Sequence, residues 1–254
     1  MRIGAIPNVI FSLFGLKMTR RVDSARQFPV EISETDKAIF HYVRANGLST
    51  STDERLYATI MACRHVVERQ IEGDFVECGV WRGGNSTIAA GVFKAMDVGR
   101  LVWLFDTFAG MTAPTEDDVN FRGEVAEAKF KASQRAGYNE WCYAPLEEVT
   151  ANFERAGLLS NRIKFIKGDV VRTLADTDNL PVAIAVLRLD TDWYESTKAE
   201  LDVLYPRLST GGILIIDDYG HWGGAKKAVD EYFAQKPRPF FQYIDHTGRI
   251  AVKM

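Results

Sequence analysis

The sequence predicts a doubly wound α/β fold: a seven-stranded, mostly parallel sheet with helices on both faces and an antiparallel hairpin at its end. Three observations carry this. Apolar runs recur along the chain, from "DFVECGV" to "GGILIIDDY", with helical patterns between them. The runs are continuous rather than alternately apolar and polar, as expected of strands buried on both faces. The last two, "PFFQYI" and "RIAVKM", have no helix between them and close as a hairpin.

A chain of 254 residues suits one large domain with embellishments. Residues 1–48 lack strong periodicity and are expected to form an arm or lid, with the main domain over 49–254. "STDERLYATIMACRHVVERQI" has an amphipathic helical spacing, with Leu56, Ile60, Cys63 and Val67 on one face. The strand "DFVECGV" follows, then the helix "NSTIAAGVFKAM" with Asn85 or Ser86 near its start, then the strand "RLVWLFDTF". Residues 116–157 are charged and expected to be mostly helical, interrupted near Gly137 and Pro145. They belong to an insertion over about 111–157 that lies above the strand ends as a lid. "RIKFIKGDV", "PVAIAVLRLD" and "GGILIIDDY" are three further strands, and "STKAELDVLYPRL" is the helix between the last two. "AKKAVDEYFAQ" is the final helix.

Apolar content of 46% and charged content of 26% are those of an ordinary soluble globular protein. A net charge of −3 gives no general attraction to nucleic acid, which is held largely through Lys and Arg on phosphate. Cys63, Cys78 and Cys142 form no CxxC pair, which argues against a disulfide framework and a zinc site and for a reducing cytoplasm. The apolar stretch over residues 3–16 is too short to span a bilayer and is broken by Pro7 and Asn8. "KMTRRVDS" offers no small-residue cleavage site, so neither export nor stable membrane insertion is expected. The arm is instead expected to cover the site or pack on a partner subunit in a homo-oligomer, a dimer.

In doubly wound sheets ligands bind beyond the carboxyl ends of the strands, near the switch in strand order. Each of the first five strands ends in a cluster bearing carboxylates: "ECGVWRGGNS", "FDTFAG", "GDV", "RLDTD" and "IDDYGHWGG". Any one acid alone reads as a loop or cap carboxylate. Five together point to a site. The loop carrying Gly79, Gly83 and Gly84 departs from the GxGxxG pattern that cradles a pyrophosphate, which counts against a nicotinamide or flavin enzyme. Glu77 is expected at the mouth, where an acid repels phosphate and suits a cationic ligand group. Asp106 is placed to accept hydrogen bonds from ribose hydroxyls, and Asp169 to face an adenine. A cationic, ribose-bearing ligand without phosphates is S-adenosylmethionine. Gly79, Val80, Gly84, Ser86, Thr107 and Asp190 are expected around it with these acids.

Asp190 and the pair Asp217 and Asp218 end neighbouring strands, which in a parallel sheet lie about 4.8 Å apart. Three hard oxygen donors with no His or Cys beside them suit Mg²⁺. The alternative is that "IDDYG" merely turns the chain and caps a helix. Asp192 remains as a candidate general base, or as the cap of the helix that follows it. His221, beside the pair, is a secondary candidate for proton transfer or acceptor binding. His41, His65 and His246 read as structural.

"FVECGVWRGGNS", "LFDTFAG", "RLDTDWYESTKAELDVLYPRLSTGGILIIDDYG" and "GGAKKAVDEYF" together resemble the macrocin O-methyltransferase family, which includes the sugar O-methyltransferase of novobiocin biosynthesis. The resemblance covers about residues 48–233. It implies a class I methyltransferase fold and a divalent metal, usually magnesium, at Asp190, Asp217 and Asp218. It also implies a base at Asp192 and methyl transfer to a hydroxyl of a glycosyl group. Where His221 stands, the family often has a small residue. The expected acceptor is a glycosylated natural product, a nucleotide sugar or a surface glycan; the alternative is a catechol or other phenol. Phe121, Tyr138, Trp141 and Tyr143 in the insertion are candidates to stack on it or to pack the lid.

Overall fold

The computed structural model describes residues 28–254, and Ser33–Met254 forms one compact unit. It opens on helix α1 (Glu34–Ala45), started by a reciprocal cap. The Ser33 hydroxyl accepts from the Asp36 backbone N–H at 3.2 Å, and the Asp36 carboxylate accepts from that of Ser33 at 3.1 Å. Phe40 and Val43 point inward from α1 and are fully buried. Residues 33–48 are therefore part of the main domain rather than of an arm, because this short helix carries its own cap and apolar face. Residues 1–27, where the rest of the expected arm falls, lie outside the described residues.

Helix α2 (Asp53–Glu68) buries Leu56, Ile60, Cys63 and Val66, so the stripe ends on Val66, and Val67 is only half-buried. Strand β1 (Asp74–Cys78) leads into helix α3 (Gly84–Ala95), followed by β2 (Val102–Asp106). Asn85 and Ser86 lie in the first turn of α3, but its N-cap is Gly83, in the left-handed conformation at φ 82°. After β2, the stretch expected to be mostly helical holds only two helices, α4 (Ala126–Ser133) and α5 (Leu146–Arg155). Between them Gln134–Arg135 (β3) pairs with Tyr138–Asn139 (β4) in a small hairpin. Gly137, at φ 88°, makes its turn. The Asn139 side chain fixes it by donating to Phe130 O at 2.9 Å and accepting from Trp141 N at 3.0 Å. Such side-chain bonds to nearby backbone compete with helix.

The chain then forms β5 (Ile163–Lys167), the short helix α6 (Val170–Thr173), β6 (Ile184–Leu189), α7 (Tyr194–Val203), β7 (Leu208–Ile216) and α8 (Gly223–Phe233). Strands β8 (Gln242–Tyr243) and β9 (Arg249–Val252) finish it as the expected hairpin. The sheet order is β5-β2-β1-β6-β7-β9-β8, parallel from β5 to β7 and antiparallel beyond. Ile184, Ala185, Val186 and Leu187 on β6 are wholly buried, as a central strand covered on both faces must be. Among the described residues no helix is long and apolar enough to cross a membrane.

Candidate active site

The chain builds outward from β1 in one direction through β2 to β5, then returns to the other side of β1 with β6. The switch point lies between β1 and β6, and the site forms there. Sheet hydrogen bonds continue past the strand ends: Gly79 N donates to Phe105 O at 2.8 Å, Asp190 N to Cys78 O at 2.9 Å, and Asp217 N to Leu189 O at 2.9 Å. The acids are thus held level on neighbouring chains by the backbone itself. Position 79 must be glycine, because at φ +80° a Cβ would lie 2.0 Å from the Asp190 carbonyl oxygen.

A cavity of about 680 Å³ opens above these ends, within the usual range for a small-molecule site. Gly79, Asp106, Thr107, Asp169, Asp190 and Asp192 line it, as do Asp217, Asp218 and His221. Glu77, Val80, Gly84 and Ser86 do not line it. Glu77 is 1% exposed and lies behind the mouth, paired with Arg188 at 2.9 Å and hydrogen-bonded by the Ser86 hydroxyl. The cause is register: Glu77 on β1 is the direct partner of Arg188 on β6, so each satisfies the other inside the sheet layer. Burial pushes the Glu77 carboxyl up to about 7 against the pull of Arg188. Val80 is buried, and a Cβ on Gly84 would strike Leu48 and Ser49, so both pack against the protein.

Asp106 clamps the glycine loop. It accepts from Val80 N at 2.7 Å and Trp81 N at 3.1 Å with one oxygen, and from Phe108 N at 2.7 Å and the Thr107 hydroxyl at 3.4 Å with the other. These four bonds match the capacity of a carboxylate, so the structure gives Asp106 a loop-organising role. Asp169 caps α6 by accepting from Val171 N at 3.0 Å.

Among the described residues, the acids that converge are Asp190, Asp192 and Asp218, with ligand atoms within 4.8 Å of one another. The expected trio had Asp217 in place of Asp192. Asp217 lines the same cavity, but Arg188 and Arg55 each donate to one of its oxygens. Arg188 also reaches Asp190 at 2.5 Å, and Arg55 also holds Asp245 of the terminal hairpin at 2.7 Å. Asp218 Oδ2 is buried with no hydrogen-bond partner among the described residues. Burial, reinforced by Asp192 and Asp217, raises the Asp218 pKa, and burial with Asp217 and Asp218 raises that of Asp190 despite Arg188. Asp192 is pushed up to about 7, first by burial and then by Asp190 and Asp217, while hydrogen bonds to Asp218 and Trp222 pull it down. A crowded set of oxygens with an unanswered buried acceptor fits a hard divalent cation.

Asp192 does not cap α7. The N-cap is Trp193 and makes no side-chain bond, whereas Asp118 from the insertion accepts from Tyr194 N at 2.9 Å. Asp192 itself sits at φ 71°, left-handed backbone that Asp tolerates better than most residues and that aims it into the cavity. Asp118 also accepts from Thr115 N at 2.6 Å, while Val119 O accepts from Gly223 N at 2.8 Å and His221 O from Phe121 N at 2.9 Å. The insertion is therefore latched to the starts of α7 and α8. Asp118→Ala should lower the melting temperature by only about 2–4 °C, the worth of one cap. It should, however, markedly speed amide hydrogen exchange over residues 111–126. Unchanged exchange there would refute the latch.

Trp141 and Trp222 line the cavity and the buried Trp193 packs behind them, with ring centroids 4.9 to 5.9 Å apart. The His221 ring packs edge-on against Trp222 at 4.9 Å and Phe121 at 5.3 Å, and burial lowers its pKa. Of the other aromatics, Tyr143 lines the cavity and stacks on Tyr138 at 4.4 Å. Arg188, Arg55 and Asp118 were not legible as site residues. Arg188 alone left a trace, as a charge between Leu187 and Leu189 in a buried strand.

Residues 16–250 match the family described as Macrocin-O-methyltransferase (TylF). The 8-demethyl-8-(2,3-dimethoxy-alpha-L-rhamnosyl)-tetracenomycin-C 4'-O-methyltransferase of Streptomyces olivaceus is 41% identical over 64% of this chain and 58% of its own length. The demethyldecarbamoylnovobiocin O-methyltransferase of Streptomyces niveus is 39% identical over 75% of this chain and 70% of its own. The chain thus spans a little over half of the first relative and more of the second. Among solved structures, the O-methyltransferase NovP superposes with a TM-score of 0.72 at 33% identity, covering 82% of both chains. Both the sheet and the sequence along nearly its whole length place the chain in the macrocin O-methyltransferase family.

Proposed function

We propose that the protein is an S-adenosylmethionine- and Mg²⁺-dependent O-methyltransferase that methylates a sugar hydroxyl of a glycosylated natural product, nucleotide sugar or surface glycan. The observation that carries this reading is the convergence of Asp190, Asp192 and Asp218 at the floor of a roomy cavity at the switch point. Family membership supplies the methyl-transfer chemistry, and relatives named for methylating glycosylated antibiotics favour a sugar acceptor.

Asp190 and Asp218 are the residues that would hold the cation, with Asp217 fixed beside them by Arg55 and Arg188. When bound, Mg²⁺ lowers the pKa of a coordinated hydroxyl. Asp192 accepts the hydroxyl proton on its carboxylate, which a bound cation keeps ionised. The left-handed backbone at position 192 aims that carboxylate into the cavity. The glycine loop clamped by Asp106, together with Thr107 and Asp169, presents the cofactor side of the cavity. The tryptophan wall presents the acceptor side and excludes water. Holding the methyl donor and the hydroxyl in line is then the main contribution to rate.

The test is a co-product assay with S-adenosylmethionine, Mg²⁺ and two acceptor panels, sugars and catechols. Mass spectrometry should find one added methyl on a sugar oxygen. EDTA should abolish transfer, and Mg²⁺ should restore it. Turnover of catechols alone would overturn the acceptor class, and full activity in EDTA would overturn the metal.

A further inference from the structure

Asp192 reaches the cavity from a backbone shape that a chain does not adopt unaided. The Trp193 N–H donates to the Thr191 carbonyl at 2.9 Å, and Asp192 between them is at φ 71°. A three-residue turn closed over a positive φ is the rare and strained form of the γ-turn. Relaxing it would swing the Asp192 carboxylate away from Asp190 and Asp218. Strain of this kind persists only where the surroundings over-determine it.

Both ends of the turn are tied down. Asp190 N donates to Cys78 O at 2.9 Å, and the Trp193 indole N–H donates to Thr112 O at 3.0 Å. The middle residue, Thr191, is braced by helix α7. The Ser196 hydroxyl reaches the Thr191 carbonyl at 3.4 Å, and the Thr191 hydroxyl donates to the Glu200 carboxyl at 2.8 Å. Glu200 is fully buried, and its second oxygen, Oε2, has no hydrogen-bond partner among the described residues. Burial, against the Thr191 bond and with Asp218 adding to it, raises the Glu200 pKa well above the usual carboxylate range. Glu200 therefore stands there as a neutral acid. So poorly answered a polar group works against stability, and an apolar side chain would hold α7 to the sheet better. What the carboxyl does supply is a fixed Thr191.

We propose that Glu200 is a positioning residue for methyl transfer: through Thr191 it holds the strained turn that presents Asp192. This deepens the reading of Asp192 as the base and rests on it.

The test uses the full chain with Glu200→Gln, Glu200→Met, Thr191→Val and the Met–Val double variant. Turnover is measured with S-adenosylmethionine, Mg²⁺ and the sugar methylated in the panel above, and amide hydrogen exchange is followed at Trp193 and Asp190. Glutamine keeps an oxygen for the Thr191 hydroxyl and exchanges a neutral acid for a neutral amide, so its turnover should stay near wild type. Glu200→Met and Thr191→Val each break the bond. Each should slow turnover about five- to tenfold, roughly the worth of one hydrogen bond, with KM for S-adenosylmethionine unchanged. The Trp193 amide should exchange faster by a similar factor, while the Asp190 amide, held by Cys78, should not change. In the double variant both polar partners are apolar, so the melting temperature should be no lower than that of wild type while turnover stays slow. A merely structural role predicts instead that activity follows stability. Thr191→Val, which alters only a hydroxyl, carries the test if Glu200→Met does not fold. Wild-type turnover in both single variants, unchanged exchange at Trp193, or Glu200→Gln as slow as Glu200→Met would each overturn the proposal. Faster Trp193 exchange in a protein that methylates no sugar would instead sink the function proposed above and leave the bracing of the turn standing.

Discussion

Asp192→Asn is expected to lose about 10²–10⁴-fold in turnover at saturating Mg²⁺, the usual worth of a positioned general base. The substitution is nearly isosteric, and Asn tolerates the left-handed backbone of position 192, so the fold should survive. Asn keeps the size and polarity of the side chain but cannot take a proton. A helix-capping role offers no competing explanation, because Asp118 makes the bond at the start of α7. In the wild type, turnover should rise with pH as Asp192 ionises and then level off. The inflection should lie no higher than about 7, since a bound cation favours the charged form. In the variant that inflection should vanish. Steady-state rates across pH, with Mg²⁺ affinity measured separately, check both points. Near-normal turnover with an unchanged profile would remove Asp192 from the chemistry.

Arg188→Met should give the largest loss of stability. Arg188 is fully buried and answers three carboxylates: Glu77 at 2.9 Å, Asp190 at 2.5 Å, and Asp217. Methionine fills similar volume but leaves those acids facing one another in the sheet layer. Breaking a buried pair by removing one partner costs about 3–5 kcal/mol, because the other charge stays buried unanswered. For a domain of this size that corresponds to a melting temperature lower by about 6–20 °C. The sign of the pH dependence follows. Carboxyls whose folded pKa is raised, as that of Glu77 is to about 7, favour the fold while protonated and lose that contribution as pH rises through the folded value. The deficit of the variant should therefore be smaller in mild acid than in mild base. Arg188→Lys should fall between the two, since one ammonium cannot fork to three acids. Calorimetric melts at two pH values decide this. A melting temperature within about 2 °C of wild type would show that the acids do not depend on Arg188.

The large-scale fold was legible because it rests on local pattern. Continuous apolar runs such as residues 184–187 require burial on both faces, and helical patterns between them require parallel crossovers. The closing hairpin followed from the absence of a helix between its strands. The insertion was misread as mostly helical because its path depends on Asn139 and Gly137, whose local bonds outweigh the helical composition around them. Helix α1 escaped notice because its apolar face is short and its cap, Ser33 with Asp36, lies in an otherwise unpatterned stretch.

The site divides in the same way. The sequence by itself determined that carboxylates stand at the ends of the parallel strands, since strand ends and acids are both visible in one dimension. Only the tertiary structure decided what each acid does. Register set Glu77 against Arg188 and so took it out of the cavity. Two arginines, one from α2 and one near the end of β6, occupy both oxygens of Asp217, while Asp192 joins Asp190 and Asp218. Asp118, far away in sequence, took the cap at α7 and freed Asp192 for the cavity. The physical reason is common to all three: the role of a buried carboxylate is set by the donors and charges brought within a few ångströms of it. Those neighbours come from other strands and helices, which local periodicity does not encode.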